Sequence, residues 1–173
     1  MIDSLRRPSL QIAVVLYLIP LFVGCAPDNT QSLAELGIDP KDTSRVWIEN
    51  NKVTGLTLSY VDSLESALNS LKKFPQLKSL NLEYTTIRDD QLSLLRPLEN
   101  LHELDLNETS ITSEGLSEIS RHVDLRTLIL KNTLVEDAGL NKLAALTQLT
   151  TLFLADTRIT DNGLQSVNRM TQL

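Results

Sequence analysis

The apolar positions of the chain repeat with a strict 24-residue period from Val53 to the C-terminus. When the sequence is set in rows of 24, the first, fourth and sixth columns are aliphatic in every row. These columns hold Val53, Leu77, Leu101, Leu125, Leu149 and Leu173; Leu56, Leu80, Leu104, Leu128 and Leu152; and Leu58, Leu82, Leu106, Leu130 and Leu154. A period in the twenties indicates a solenoid, because units of this size bury their apolar faces only by stacking on one another.

The first part of each row predicts a short strand. The pattern Leu-x-x-Leu-x-Leu alternates, so the fourth and sixth columns point inward while the third, fifth and seventh face outward. The ninth column is threonine in four consecutive rows, from Thr85 to Thr157. We expect these hydroxyls to bond backbone groups that the following turn leaves unpaired, which is a structural and not a catalytic role.

The second part of each row predicts a helix. Its thirteenth column holds residues that favour a helix N-cap, and we expect them to cap helices: Asp89, Ser113, Asp137 and Asp161. An apolar stripe follows with the spacing i, i+3, i+6, as in Leu92, Leu95 and Leu98, and it predicts a helix packed on the back of the sheet.

Strand, crossover and strand repeated with one hand give an α/β solenoid with a concave parallel sheet and convex helices. We expect about five repeats, over residues 53–76, 77–100, 101–124, 125–148 and 149–173. Residues 32–52 are expected to form an N-terminal capping region, with a hairpin or capping strand around the turn-favouring pair Asn50 and Asn51. Trp47 is the only tryptophan, and we expect it to cover the N-terminal end of the core.

The consensus L-x-x-L-x-L-x-x-T-x-I-T-D-x-G-L resembles the leucine-rich repeats of the ribonuclease-inhibitor-like class, most closely the bacterial and F-box-associated variants. Its clearest copy is T-R-I-T-D-N-G-L at residues 157–164, and the resemblance covers residues 53–173. Threonine stands where other subtypes have asparagine or cysteine. No F-box-like helical region precedes the repeats, so an adaptor role in ubiquitin ligation is not implied. The resemblance implies a fold that serves as a binding scaffold.

Residues 1–24 have the layout of a signal peptide. Arg6 and Arg7 precede an apolar run at residues 10–23 that is shorter than the ~20 residues a membrane-spanning helix needs. Residues 22–25, Phe-Val-Gly-Cys, resemble the lipobox of bacterial lipoproteins, with phenylalanine where leucine is usual.

The lipobox resemblance implies lipidation of Cys25, with residues 25–31 as a tether and the protein as an exported, membrane-anchored lipoprotein of the bacterial cell envelope. The alternative is ordinary cleavage at Gly24 or Ala26, with Cys25 incidental and a secreted or periplasmic soluble protein.

Composition excludes several classes of function. The formal net charge is -6 without a basic run, so no nucleic-acid partner is expected. The two histidines do not converge with a nucleophile: His122 lies in the apolar stripe, and His102 with Glu103 or Asp105 lacks further metal ligands. The aspartates of the thirteenth column are explained by capping and not by a calcium ladder. We therefore expect no enzyme activity, no cofactor and no metal.

The residues of the outward columns differ from one repeat to the next, so these columns carry the candidate binding site. An acidic patch is formed by Glu83, Glu103 and Asp105; beyond it lie Ile129 and Phe153, with Lys131 beside them. This gradient predicts a protein or peptide partner that has a basic segment beside an apolar anchor, although two apolar residues also occur on ordinary surfaces.

The C-terminal end suggests a second kind of function. Leu173 begins a new row without a polar capping unit, and three interpretations stay open: a fragment of a longer array, a frayed last repeat, or an end-to-end dimer that buries the open edge. The alternative function is a structural envelope protein that self-associates through this end, as an end-to-end homodimer.

Overall fold

The computed structural model describes residues 27–39, 42, 44–59, 61, 63–167, 170 and 172–173. The predicted signal peptide at residues 1–24 and the predicted lipidation site Cys25 lie outside the described residues. Within the described ranges, no helix combines the length and the apolar character needed to cross a membrane.

A six-stranded sheet forms one face of the molecule, and its strands follow the order of the sequence. The strands are β1 (Val46–Glu49), β2 (Lys52–Thr57), β3 (Ser79–Asn81), β4 (Glu103–Asp105), β5 (Thr127–Ile129) and β6 (Thr151–Phe153). Strands β2 to β6 are parallel, and each pairs with the next in the register of the repeat, so that Leu56 lies opposite Leu80 and Leu80 opposite Leu104. The prediction of one parallel strand per repeat is confirmed.

Short helical segments form the other face. The α-helices are α1 (Pro27–Glu35), α2 (Leu64–Ser70), α3 (Leu116–Ile119), α4 (Asp137–Leu140) and α5 (Asp161–Val167), and 3-10 segments span Leu71–Lys73, Asp89–Leu95 and Asn141–Ala145. The second repeat carries only a 3-10 segment where the stripe predicts an amphipathic helix. The three-residue spacing of the stripe matches the 3.0 residues per turn of a 3-10 helix, so Leu92 and Leu95 still share one buried face.

The repeating columns fill the core. The first, fourth and sixth columns are buried in the repeats from Val53 to Leu130, and the stripe is buried with them, including Leu92, Leu95 and Leu98. In the repeat that begins at Leu149, Leu152 and Leu154 are only partly buried. The apolar end of the stack is therefore more open than its middle.

The threonine column bonds the backbone as predicted. Each hydroxyl donates to the carbonyl oxygen three residues earlier: Thr85 to Leu82 at 2.6 Å, Thr109 to Leu106 at 2.6 Å, Thr133 to Leu130 at 2.7 Å and Thr157 to Leu154 at 2.7 Å. The residue before each threonine has a left-handed backbone, as at Glu108 with φ 55°. The hydroxyls thus satisfy carbonyls at the turns that follow strands β3 to β6.

Asp89, Ser113 and Asp137 of the thirteenth column link repeats and do not cap helices, so the capping prediction is wrong for these three residues. Asp89 Oδ1 accepts a hydrogen bond from the Thr112 backbone N at 3.0 Å, and Asp89 Oδ2 accepts one from the Thr112 hydroxyl at 2.5 Å. Asp137 accepts the same pair from Thr160, at 2.7 and 2.6 Å. The helical segments starting at Asp89 and Asp137 take these residues as their first member, and their carboxylates point to the next repeat. Backbone N–H groups that the turn leaves unpaired lie there, one repeat further along the chain.

The N-terminal end is closed by a hairpin and a helix. Strands β1 and β2 are antiparallel, and both turn residues have positive φ, 49° at Asn50 and 63° at Asn51, as a two-residue hairpin turn requires. Residues 27–31, expected as part of a tether, lie in α1. Leu33 of this helix and Leu36, directly after it, are buried in the core, so this segment covers the end of the core that Trp47 was expected to cover.

Candidate binding surface

The outward columns lie side by side on the sheet. Register places Gly55, Ser79, Glu103, Thr127 and Thr151 in one row, and Thr57, Asn81, Asp105, Ile129 and Phe153 in the next. Asp105 thus neighbours Ile129, and Ile129 neighbours Phe153, as the sequence predicts. Neighbouring strands are about 5 Å apart, so acidic and apolar groups share one continuous surface.

The acidic patch centres on Asp105, which is half-buried. Burial raises the pKa of this carboxyl, and the nearby charge of Glu83 raises the pKa further, while a hydrogen bond from the Asn107 backbone N at 2.9 Å and the charge of Lys131 oppose the rise. Glu103 is exposed on the same strand. The three predicted acidic residues therefore come together, and the most buried one lacks full compensation of its charge.

The apolar pair, Ile129 and Phe153, is less exposed than the sequence suggests. Phe153 is 40% exposed and Ile129 is half-buried. The Lys131 ammonium nitrogen lies over the Phe153 ring, 4.6 Å from its centroid, which is within cation–π range. One face of the ring is therefore covered by a cation, and the free apolar area is smaller than two exposed side chains would give.

Trp47 lies on the concave face, so its expected position at the end of the core is wrong. It is 48% exposed and lies opposite Gly55 in the antiparallel pair, next to a bulge that shifts the register at Ile48. Its ring rests on the sheet because Gly55 has no side chain: a Cβ there would lie 2.8 Å from Trp47 Cε3. The glycine thus admits an aromatic ring onto the binding face.

Two adjoining clefts follow from this position of Trp47. The outer cleft has a volume of about 500 Å³ and the inner cleft about 170 Å³, and both are lined by Trp47, Ser79 and Glu103. The outer cleft extends along the start of the strands, and the inner cleft extends across the sheet to Asp105 and Ile129. The concave face is thus a walled groove at its N-terminal end.

A basic column lines the outer cleft and is missing from the sequence prediction. It consists of Lys78, His102 and Arg126, the second residue of three consecutive rows. Lys78 Nζ donates to Glu49 Oε2 at 2.9 Å. Strict alternation turns the second column inward, but strands β3, β4 and β5 begin only at the third column, so alternation does not apply to the second column of these rows. Treating the second column as outward would have found these residues.

The two histidines are separated. His102 lines the outer cleft, whereas His122 is buried in the helical layer, with Nδ1 3.2 Å from the Leu98 carbonyl oxygen. Burial lowers the pKa of His122, which fits the predicted structural role. In the part of the chain that the structure describes, no group of three or more His, Cys, Asp or Glu side chains is placed to hold a metal ion.

Comparison with known proteins supports the repeat and the fold. A family model described as "Leucine Rich repeat" matches residues 98–120 and 145–167, and no curated protein matches in sequence. The fold is similar to that of internalin C2 from Listeria monocytogenes, with 19% identity over 72% of this chain and 61% of that one, at a TM-score of 0.57.

It is also similar to the leucine-rich-repeat ectodomain of the Arabidopsis thaliana receptor kinase GASSHO1/SCHENGEN3, solved in complex with CASPARIAN STRIP INTEGRITY FACTOR 2. The identity there is 19%, over 75% of this chain and 16% of that one, at a TM-score of 0.52. This chain spans less than two thirds of either structure. The 24-residue period and the two matched segments show that this chain contains leucine-rich repeats, and the similar structures show that it has the leucine-rich-repeat solenoid fold.

Proposed function

We propose that this protein is an exported interaction scaffold that binds a polypeptide on its concave face, between Trp47 and Phe153. The observation that carries the proposal is the contrast between columns. The inward columns are uniform from repeat to repeat, whereas the outward ones change from acidic to apolar along the stack. Side chains that pack in the core must be the same in every repeat because the fold requires them, so only the outward columns are free to specify a partner.

The chemistry of the face indicates the partner. Glu83, Glu103 and Asp105 favour a basic segment, and Ile129 with Phe153 offers a small apolar contact on the adjacent strands. Charge complementarity sets orientation and association rate, while a few apolar anchors supply most of the binding energy. A protein or peptide with a basic segment beside an apolar anchor fits both.

The fold is compatible with this use. The Arabidopsis ectodomain, which shares it, was solved in complex with a partner. That complex supports polypeptide binding as a role for the fold, and the side chains on this chain's concave face specify the class of partner.

Substitution of the apolar pair tests the binding site. The double variant Ile129→Ser/Phe153→Ser is expected to lose capture of a specific partner from envelope extract while keeping the far-ultraviolet circular dichroism spectrum of the native protein. The matched control is Val123→Ser, which removes a 54% exposed aliphatic side chain on the helical side, away from the concave face. Capture that is unchanged in the double variant would place the site elsewhere.

We further propose that the mature protein is held on the bacterial envelope by lipid on Cys25. The support is the sequence of residues 1–25, in which a short apolar run ends at the chain's single cysteine. Cys25→Ala is expected to release the protein from the membrane fraction. Persistence of the variant there would refute lipid anchoring, and release of the unmodified protein would favour a secreted or periplasmic soluble form.

We propose structural self-association as a second candidate function, supported by incompletely buried apolar side chains in the repeat that begins at Leu149. Leu152, Leu154 and Ile159 are only partly buried, and Leu164 is 47% exposed. A partner copy would cover these side chains. Sedimentation at high protein concentration tests the second function, because a strict monomer would exclude self-association through these side chains.

A further inference from the structure

We propose that the inner cleft receives an arginine side chain of the bound polypeptide, stacked between Trp47 and Ile129 with its guanidinium group on Glu103 and Asp105. This inference rests on the proposed function, because it takes the occupant of the concave face to be a polypeptide. It adds the identity of one side chain and the place where that side chain lies.

The shape of the cleft suits a long side chain with an apolar stem. Strands β3 and β4 form its floor, the indole of Trp47 stands at one end and Ile129 at the other. Trp47 is held there by the absence of a side chain at Gly55. Arginine and lysine bury their methylene stems against such apolar surfaces and place the charge on polar groups.

The distribution of charge directs a cation to the inner cleft and not to the outer one. The outer cleft is lined by two carboxylates, Glu49 and Glu103, and by two cations, Lys78 and Arg126. Its charges balance, and Lys78 is already paired with Glu49.

The inner cleft differs in this respect. It is lined by the carboxylates of Glu103 and Asp105, and none of the described residues lining it is basic. Glu83 adds a further negative charge beside Asp105. The neighbouring cation Lys131 acts on Asp105, but its ammonium group is placed over the ring of Phe153. A half-buried carboxylate beside a second one is stabilised by an added cation more than an exposed carboxylate would be.

Arginine fits this cleft better than lysine does. Its planar guanidinium group stacks on an aromatic face and can bond a carboxylate through two parallel N–H groups, whereas an ammonium group is a point charge with a tight hydration shell. The indole of Trp47 and the carboxylates that line the same cleft supply both interactions.

The sheet also fixes the distance to the apolar anchor. Glu103 and Asp105 lie on β4, and Phe153 lies on β6, two strands further. Two strand spacings are about 10 Å, and an extended chain advances about 3.3 Å per residue. A peptide that crosses the strands therefore carries its apolar residue about three positions from the arginine.

The test uses terminally blocked synthetic peptides with arginine and leucine three positions apart, and matched peptides with lysine or glutamine in place of arginine. Binding is read from the fluorescence of Trp47, the chain's only tryptophan, which lies in the cleft. The arginine peptide is expected to bind about tenfold more tightly than the glutamine peptide, with lysine between them.

Variants of the protein complete the test. Glu103→Gln/Asp105→Asn is expected to weaken the arginine peptide about tenfold and to leave the glutamine peptide unchanged. Because Asp105 also accepts a hydrogen bond from Asn107, the single variant Glu103→Gln, at an exposed side chain, provides a second reading with a smaller loss in the same direction. Glu99→Gln, at an exposed carboxylate on the helical side, is the control and is expected to change nothing.

Equal affinity for the arginine and glutamine peptides overturns the inference. The absence of any fluorescence change up to about 10 mM peptide also overturns it, because a dissociation constant above that concentration is too weak for a specific contact. These failures are distinguishable from failure of the proposed function. If Ile129→Ser/Phe153→Ser still abolishes partner capture while the peptides bind equally, the concave face binds its partner and only the arginine assignment falls.

Discussion

Replacing Gly115 by alanine sets two opposing effects on stability against each other. Gly115 has helical backbone angles, φ -60° and ψ -27°, which alanine adopts without strain. Alanine is favoured over glycine in a helix by about 0.5–1 kcal/mol. If local propensity governed this position, the variant would be more stable than the native protein.

Contacts between repeats predict the opposite sign. A Cβ at Gly115 would lie 2.7 Å from Leu92 Cδ1 and closer still to Asp89 Oδ1, the oxygen that accepts the Thr112 backbone N–H. Overpacking costs about 1–3 kcal/mol. Displacing the carboxylate also weakens hydrogen bonds to a charged group, worth about 1.5 kcal/mol or more. After subtraction of the propensity gain, we expect Gly115→Ala to lower the free energy of unfolding by about 1.5–4 kcal/mol.

Equilibrium urea unfolding followed by circular dichroism measures this effect. The double variant Asp89→Ala/Gly115→Ala removes the obstructing carboxylate, so the cost of the glycine substitution should fall by at least about 1 kcal/mol in that background. A Gly115→Ala variant as stable as the native protein would refute the argument.

Two further predictions concern buried polar groups. The pKa of His122 in the folded protein lies below its ordinary value of 6.5, so the unfolded chain binds the proton first and stability falls as the pH drops below 6.5. His122→Leu should remove up to about 1.4 kcal/mol of that loss at pH 5.5. The measurement is the difference in unfolding free energy between pH 8 and pH 5.5, which should be smaller in the variant. An identical pH profile in the variant would show that His122 is not the titrating group. Thr133→Val should lower the free energy of unfolding in urea by about 1–3 kcal/mol, because it leaves the buried Leu130 carbonyl unpaired. The same substitution at the half-buried Thr157 should lower it less. Equal effects of the two substitutions would contradict the role assigned to burial.

Most of the fold follows from the sequence because each repeat poses the same packing problem. Leu104 and Leu128 are buried where the period places them, and the strand register matches the 24-residue shift. The threonine hydroxyls bond their carbonyls as expected, since donor and acceptor are only three residues apart. Local and periodic signals are sufficient for these features.

Features that depend on contacts between distant residues could not be predicted in this way. Asp89 resembles a helix cap in its own repeat, and only the stacked structure shows its carboxylate reaching Thr112 in the next. The sequence predicts that Trp47 covers the N-terminal end of the core, yet the hairpin register sets it opposite Gly55 on the concave face. Trp47 therefore adds an aromatic wall to the candidate site, which the repeat pattern could not predict because that pattern begins only at Val53.

Site-directed photo-crosslinking in the producing cell tests the central claim most directly. A photoreactive phenylalanine derivative is placed at Thr127 or Thr151 on the concave face, and at the exposed Ser117 of α3 on the helical face as the control. The account predicts that one discrete polypeptide is crosslinked from both concave positions and not from Ser117. Crosslinking of that polypeptide from Ser117 alone, or no polypeptide from either concave position, would contradict it.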